Sequence, residues 1–64
     1  MNCLFEVYKN AKYHKSLSFY GLAKKIKVFA IRDDKKGYPH FLIYEDGEWK
    51  YKSAKLYIPI NSDT

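Results

Sequence analysis

The stretch "FLIYEDGEWKYKSAKLYIPI", residues 41–60, decides the fold that we expect for this chain. At its centre, Asp46 and Gly47 form a dipeptide typical of a two-residue type I′ turn, because both central positions of that turn need a positive φ. Residues rich in β-formers stand on both sides of it. The sequence therefore predicts a β-hairpin, with strands at residues 38–45 and 48–53.

The two-residue turn fixes the register of this hairpin, with Tyr44 opposite Trp49, and so sorts the side chains onto two faces. One face carries Leu42, Tyr44, Trp49 and Tyr51, and the other carries Phe41, Ile43, Lys50 and Lys52. Because unpaired lysine ammonium groups cannot sit in a dry core, we expect the face with Trp49 to form the core. Cross-strand aromatic pairs would then stabilise it.

On this assignment Phe41 and Ile43 form an apolar stripe on the outside, beside Lys50 and Lys52. The sequence leaves three alternatives for what covers this stripe. They are the N-terminal strand or the long early loop, the stems of the lysines, and a partner, which includes a second copy of the chain. Apolar side chains ringed by charge suit the core and rim of a protein interface. These four residues are therefore the predicted partner-binding surface.

The other β-rich segments complete an all-β prediction. Together with the hairpin, the expected strands lie at residues 3–8, 26–33, 38–45, 48–53 and 55–60. Short strands at regular spacing are typical of small barrels and sandwiches. We expect a five-stranded, SH3-like, partly open barrel that forms a single domain over residues 1–64, with a β-meander core at residues 26–60.

Several local features stay open within this fold. Residues 9–24 are interpreted as a long loop, with a short helix over residues 17–25 as the alternative, and the last strand has a 3₁₀ turn as its alternative. Gly37 supplies the left-handed position of the turn after the second strand. Pro59 places the last strand at an edge of a sheet. Residues 61–64 are expected to fray.

The length of the loop before residue 38 decides where Phe29 and Ile31 point. A four-residue loop directs both side chains to the face of Trp49, whereas a three- or five-residue loop directs them to the face of Phe41. Both alternatives stay open at this point.

The composition narrows the classes of function. The single cysteine, Cys3, excludes an intramolecular disulfide and is interpreted as a buried, inert thiol. The sequence has no Cys/His cluster, so neither a metal nor another cofactor is expected. His14 and His40 stand far apart without a spaced nucleophile or carboxylate, and the acidic residues concentrate at turns. We therefore expect the protein not to be an enzyme.

The charge and the hydropathy bear on partners and location. The formal net charge of +5 favours acidic partners of any kind. No apolar run approaches the roughly 18 residues of a membrane span, and the N-terminus "MNCLFEVYKN" lacks the features of an export signal. We expect no membrane partner and a cytoplasmic location.

Basic residues interleaved with aromatic rings support nucleic-acid binding as an alternative function. They are Lys9, Lys12, Tyr13, Lys15, Lys24, Lys25 and Lys27. Such residues bind single strands through phosphate contacts and base stacking. Arg32 is the only arginine, whereas sequence readout depends largely on arginine. An aromatic cage for a cation, built from Tyr44, Trp49 and Tyr51, requires that those rings do not form the core.

The stretch "KVFAIRDDKKGYPHFLIYEDGEWKYKSAKLYIPI" resembles small uncharacterised proteins encoded by phages and prophages of Gram-positive bacteria. The shared features are a strand that ends in charged turn residues, an aliphatic and aromatic strand, an acidic residue before Gly47, then Trp49, and a Ser-Ala pair before an apolar-Pro ending. The resemblance covers about residues 26–60. It implies an SH3-like barrel and the setting of an accessory protein of a mobile element.

Many such accessory proteins act by binding and inhibiting a host or defence protein. From the resemblance we expect a non-enzymatic module in the cytoplasm of the host cell, which binds a host or defence protein stoichiometrically. A homodimer is a further expectation, and nucleic-acid binding is the alternative.

Overall fold

Short strands are the main regular structure of residues 2–60, the part of the chain that the computed structural model describes. β1 spans Phe5–Lys9, β2 Ile26–Val28, β3 Ala30–Asp33, β4 Pro39–Glu45, β5 Glu48–Ser53 and β6 Tyr57–Pro59. Single-turn 3₁₀ helices lie at Ala11–Tyr13 and Ala54–Leu56, and the α-helix α1 spans Phe19–Ala23. The all-β prediction is confirmed.

The strands form two antiparallel sheets of three strands each, in the orders β2-β1-β6 and β3-β4-β5. The chain passes from the first sheet to the second at Phe29, the single residue between β2 and β3. The predicted strand at residues 26–33 is therefore interrupted, which gives six strands where five were expected. The backbone N–H of Phe29 still donates a hydrogen bond to the carbonyl of Leu42 (2.9 Å), so the second sheet begins its pairing at the break.

The β4–β5 hairpin has the predicted register. All the expected cross-strand pairs are present, including Tyr44 opposite Trp49. Asp46 and Gly47 have φ angles of 53° and 77°, both positive, as a type I′ turn requires. Gly37 has a φ of 86°, which confirms the left-handed position predicted for the turn between β3 and β4.

The prediction of the core face is wrong, because the opposite face of the hairpin is buried. The buried hydrophobic residues are Val7, Val28, Phe41, Ile43 and Tyr57, with Phe5, Ile26, Ala54 and Leu56 packed against them. Trp49 is 50% exposed and Tyr44 is 56% exposed. The ring of Phe5 in β1 meets that of Phe41 edge-on, with 5.3 Å between centroids. The N-terminal strand is thus the cover of the inner face, one of the three alternatives above.

The lysines of the hairpin explain why the argument from charge fails. Lys50 and Lys52 stand on the buried face, yet their ammonium groups each reach the carboxylate of Glu45 at 3.9 Å. Lys9 of β1 reaches the same carboxylate at 3.6 Å. The side chains of Lys50 and Lys52 are 30% and 36% exposed. Their ammonium groups therefore lie at the margin of the core, where they pair with Glu45 and remain in contact with solvent.

The segment between β1 and β2 contains the short helix that the sequence analysis holds as an alternative. α1 begins after Ser18, whose hydroxyl accepts a hydrogen bond from the backbone N–H of Gly21 (3.3 Å) and so caps the first turn. The first 3₁₀ helix begins after Asn10, whose side chain accepts from the N–H of Lys12 (3.0 Å). No helix among the described residues has the length and apolar character needed to cross a membrane.

The first and last strands lie close to their predicted positions, residues 3–8 and 55–60. The last segment combines both predicted alternatives, a 3₁₀ turn and then β6, and Pro59 lies in β6 at the edge of its sheet as expected. β1 begins at Phe5, and Cys3 is half-buried ahead of it. Residues 61–64, which were predicted to fray, lie outside the described residues.

Candidate functional site

The outward face of the β3-β4-β5 sheet brings aromatic side chains together. The register places Tyr44 beside Trp49 in one row and Leu42 beside Tyr51 in the next. Because directly opposite residues share a face of a sheet, all four lie on the side away from the core. With Phe29 and Arg32 they make up a surface that we call the aromatic face, defined as Phe29, Arg32, Leu42, Tyr44, Trp49 and Tyr51.

Trp49 is the centre of the aromatic face. The ring of Phe29 meets it edge-on at 5.2 Å between centroids, with an interplanar angle of 81°. The ring of Tyr44 lies at 5.1 Å and 64°. Edge-to-face contacts of this kind are favourable beyond the area that they bury. The indole is therefore held in place by its neighbours while half of its surface faces solvent.

The ring of Phe29 packs against Trp49 because the strand is interrupted at Phe29. Residues 34–38 connect β3 to β4, and Ile31 lies opposite Phe41, as the five-residue alternative predicts. Phe29 departs from that alternation, because the strand is interrupted at this residue, and its ring turns to Trp49. Of the two alternatives left open by the sequence, the five-residue loop therefore holds for Ile31, whereas Phe29 follows neither because the strand is interrupted there.

Arg32 supplies a positive charge on the same face. Its guanidinium carbon lies 4.1 Å from the centroid of the Tyr51 ring, a cation–π contact worth about 0.5–1 kcal/mol at an exposed site. Within residues 2–60, none of the outward positions of β3, β4 and β5 is acidic, since they alternate with the inward positions that carry Glu45 and Glu48. The aromatic face is therefore apolar and cationic.

An open cleft continues this surface toward β2. Its volume is about 480 Å³, and Lys9, Lys24, Lys25, Lys27, Phe29 and Tyr44 are among the residues that line it. We call it the lysine cleft. Because Phe29 and Tyr44 belong to both, the lysine cleft and the aromatic face form one continuous surface. Of the residues predicted to bind nucleic acid, four lysines come together here.

The other residues of that predicted set lie elsewhere. The ammonium groups of Lys12 and Lys55 make cation–π contacts with the ring of Tyr13, at 5.6 and 5.7 Å from its centroid. Lys15 is exposed beyond the first 3₁₀ helix and does not line the cleft. The predicted basic and aromatic set is therefore divided into two groups, of which only the cleft group adjoins the aromatic face.

The predicted partner-binding residues are not an exposed surface. Phe41 is 7% exposed and Ile43 is fully buried, so both belong to the core. Lys50 and Lys52 pair with Glu45 at the rim of that core. The expectation of an apolar stripe on the outside is wrong, because it depends on the inverted assignment of the hairpin faces.

Glu45 is the centre of a group of ion pairs at the edge of the core, on the inner face of the β4–β5 hairpin. Its carboxylate meets three lysines, and Lys50 also reaches Asp46 at 3.9 Å and Glu48 at 3.7 Å. Burial, and then the charge of Glu45, raise the pKa of the Tyr57 hydroxyl to about 12. The carboxylates of the β4–β5 turn are thus committed to lysines on the side away from Trp49.

The two histidines are engaged with backbone groups. The Nδ1 of His14 lies 2.9 Å from the carbonyl oxygen of Asn10, and that of His40 lies 3.2 Å from the carbonyl of Tyr38. A carbonyl only accepts, so each Nδ1 is the donor. Among residues 2–60, no group of three or more His, Cys, Asp or Glu is placed to hold a metal ion.

A second cleft lies at the other end of the β3-β4-β5 sheet. Its volume is about 850 Å³, and it is lined by Asp34, Tyr38, Pro39, His40, Ser53, Ala54 and Lys55. Backbone N–H groups, first that of Tyr38, donate to the Asp34 carboxylate and lower its pKa. This carboxylate therefore serves as the cap of its own turn.

Comparison with protein-family models, with curated proteins and with solved structures found no match to this chain. The resemblance to phage and prophage proteins therefore stays a prediction.

The sequence places Leu42, Tyr44, Trp49 and Tyr51 on one face correctly, and the prediction that this face is the core is wrong although a compositional signal against it was present. Tyr44, Trp49 and Tyr51 each carry a polar group that needs a partner when buried, whereas Phe41 and Ile43 carry none. That difference favours the aliphatic set as the core, and Val7 and Val28 supply matching apolar residues elsewhere in the chain.

Proposed function

We propose that the protein is a non-enzymatic binding module with an SH3-like arrangement of strands, which recognises a macromolecule through the aromatic face. When β2 and β3 are counted as one strand bent at Phe29, the described part of the chain has five strands, and the bent strand is shared between two three-stranded sheets. Strands that change sheets at a bend are typical of orthogonally packed β-domains. A long connection after β1 and a 3₁₀ turn before β6 agree with this arrangement.

The half-exposed Trp49 between two edge-on rings is the observation that carries the proposal. Scattered exposed apolar residues are ordinary on protein surfaces, but a contiguous aromatic set is typical of a binding site. Trp49, Tyr44 and Arg32 are of the residue types that most often dominate binding energy at interfaces. The mutual ring contacts fix the side chains before a ligand arrives, so little ordering is needed on binding.

A protein partner fits these residue types, and the resemblance to phage and prophage proteins favours a host or defence protein in the cytoplasm of a host cell. A second copy of the chain is another candidate for the same surface. Both partners would place apolar groups on Trp49 and use the charged side chains around it as a rim.

The test is capture from a host lysate with the native chain, Trp49→Ala and Tyr20→Ala, each with and without nuclease treatment. Tyr20 is the matched control, since it is an aromatic residue on α1 that is 86% exposed. We expect the native chain and Tyr20→Ala to retain the same macromolecule and Trp49→Ala to lose it. Equal retention by all three variants, with each one folded by circular dichroism, would overturn the assignment of the aromatic face.

A further inference from the structure

We propose that the ligand of the aromatic face is a single-stranded nucleic acid, whose bases stack on Trp49 and Tyr44 and whose phosphates lie in the lysine cleft. This inference rests on the proposed function, that the aromatic face binds a macromolecule, and takes a nucleic acid rather than a protein as the occupant of that face. It uses Lys24, Lys25 and Lys27 together with rings that the chain places beside them.

Continuity of rings and charges is the first argument. Tyr44 and Phe29 line the lysine cleft and also contact Trp49. A single strand has bases and phosphates joined at short distances, so it can meet exposed rings and neighbouring lysines at once. In a duplex the bases are stacked on each other, and their faces are closed to the rings of Tyr44 and Trp49.

The distribution of charge is the second argument. Lys24, Lys25 and Lys27 are exposed, and among the described residues none of them forms an ion pair. Glu45 and Asp46 also line the cleft, but both carboxylates are already paired, Glu45 with Lys9 of the cleft and with Lys50 and Lys52, and Asp46 with Lys50. The cleft therefore keeps free ammonium groups, which bind phosphates and release counterions.

The absence of carboxylates from the outward positions of β3 to β5 is the third argument. Arg32 is the charged residue of the aromatic face, and it stacks on Tyr51 at 4.1 Å. A guanidinium on an aromatic ring offers donors to a phosphate and a flat surface to a base. A surface of rings and cations without carboxylates is complementary to a polyanion that carries aromatic bases.

The experiment is a fluorescence titration with an oligothymidylate of about ten nucleotides, within the site sizes of single-strand-binding modules. Trp49 is the single tryptophan and lies at the proposed contact, so it is the reporter. We expect its emission to be quenched on binding at low salt. With three lysines on phosphates, the slope of log affinity against log salt concentration is expected to be about −2 for a single strand.

Two matched pairs of variants locate the contact. Lys24→Ala/Lys25→Ala is expected to weaken binding and to make the salt slope shallower by about 1.4, whereas Lys35→Ala/Lys36→Ala removes the same charge from the β3–β4 turn and is expected to leave the slope unchanged. Tyr44→Ala is expected to weaken binding by roughly tenfold or more through lost stacking, and Tyr20→Ala to have no effect.

Three outcomes would overturn this inference. They are no quenching at low salt, equal weakening by the two lysine pairs, and a duplex of the same length that binds as tightly as the single strand. If the oligonucleotide fails while a nuclease-resistant partner is still captured in a Trp49-dependent way, the partner is a protein. The proposed function then stands without the nucleic acid.

Discussion

Two isoleucines on the inner face of the β3-β4-β5 sheet test, at the scale of single residues, how far the core extends across that face. Ile43 is fully buried, and Ile31 is 49% exposed. Truncation of a buried isoleucine costs about 2–5 kcal/mol, because apolar contacts are lost and a cavity remains. We expect Ile43→Ala to lower the free energy of unfolding by that amount and Ile31→Ala to change it by about 0.5 kcal/mol or less.

Urea unfolding followed by circular dichroism measures both changes. A domain of this size draws only about 3–5 kcal/mol from its core, so Ile43→Ala is expected to be partly unfolded without denaturant. If the Ile31 variant lost as much stability as the Ile43 variant, the described core would be wrong.

Tyr57 gives a residue-scale prediction for high pH. Burial, and then the charge of Glu45, raise the pKa of its hydroxyl from the ordinary value of 10.0 to about 12. Because the neutral form is favoured in the folded state, this contribution to stability is complete below pH 10 and is lost between about pH 10 and 12. We expect the free energy of unfolding to fall in that window.

The variant Tyr57→Phe separates this effect from the titration of the other tyrosines and lysines. It is expected to lose less stability between about pH 10 and 12 than the native chain does, because the group that ionises has been removed. Tyrosinate absorbance of the folded native chain should include an ionisation near pH 12 that is missing from Tyr57→Phe. Identical pH profiles for the two proteins would show that Tyr57 is not the buried tyrosine.

At the scale of elements, the hairpin was predictable because its determinants are local. Asp46 and Gly47 set both the turn and the register, and they need no other part of the chain. The buried face was not predictable in the same way, because it depends on β1, which is distant in sequence. Phe5 packs on Phe41 across that distance, and no local pattern in the hairpin reports it.

The lysines on the inner face of the hairpin depend on a distant strand in the same way. In the hairpin sequence Lys50 and Lys52 look like isolated cations, whereas Glu45 of β4 pairs with both of them and also with Lys9 of β1. Lysine stems can lie on apolar surface while the ammonium groups stay paired at the rim. Alternation within one hairpin therefore divides the residues into two faces correctly but does not say which face is buried.

Two glycines in different elements are expected to respond to alanine in opposite directions. Gly47 has a φ of 77°, in the left-handed region that costs an alanine roughly 1–2 kcal/mol. Gly21 lies in α1, and a Cβ there would meet Leu17 at an ordinary distance of 3.5 Å. Gly47→Ala should lower the urea midpoint, and Gly21→Ala should raise stability by about 0.4–1 kcal/mol.

Both changes are read from the same denaturant titrations. The helix gains because alanine restricts the unfolded chain and has the higher helix propensity. A fall of similar size in both variants would mean that α1 does not hold Gly21 in the helical conformation described.

At the scale of the whole molecule, the carboxylates of the β4–β5 hairpin are paired, and part of the basic surface beside them is not. Glu45, Asp46 and Glu48 form ion pairs with lysines, while Lys24, Lys25 and Lys27 of the adjoining lysine cleft form none among the described residues. The cluster of basic residues at positions 24–27 was visible in the sequence. Its union with Tyr44 and Trp49 was not, because that union depends on the bend at Phe29 and on the face that β1 covers.

The core also joins the two sheets, and this predicts how the molecule unfolds. Val7 and Val28 come from the first sheet, and Phe41 and Ile43 come from the second, yet all are packed in one cluster. Within residues 2–60, neither sheet has a hydrophobic core of its own, so both should unfold in one cooperative transition. Trp49 reports the second sheet, whereas circular dichroism reports the whole backbone.

We expect the urea transitions from Trp49 fluorescence and from circular dichroism to coincide in the native chain. Val7→Ala, a change in the first sheet, should shift both transitions equally, although Val7 lies across the core from the face that carries Trp49. Loss of this buried side chain is expected to cost about 1–3 kcal/mol, as large-to-small core substitutions do. If the fluorescence transition kept its midpoint while the dichroism transition moved, the β3-β4-β5 sheet would stand alone. The aromatic face would then not depend on β1 for its support.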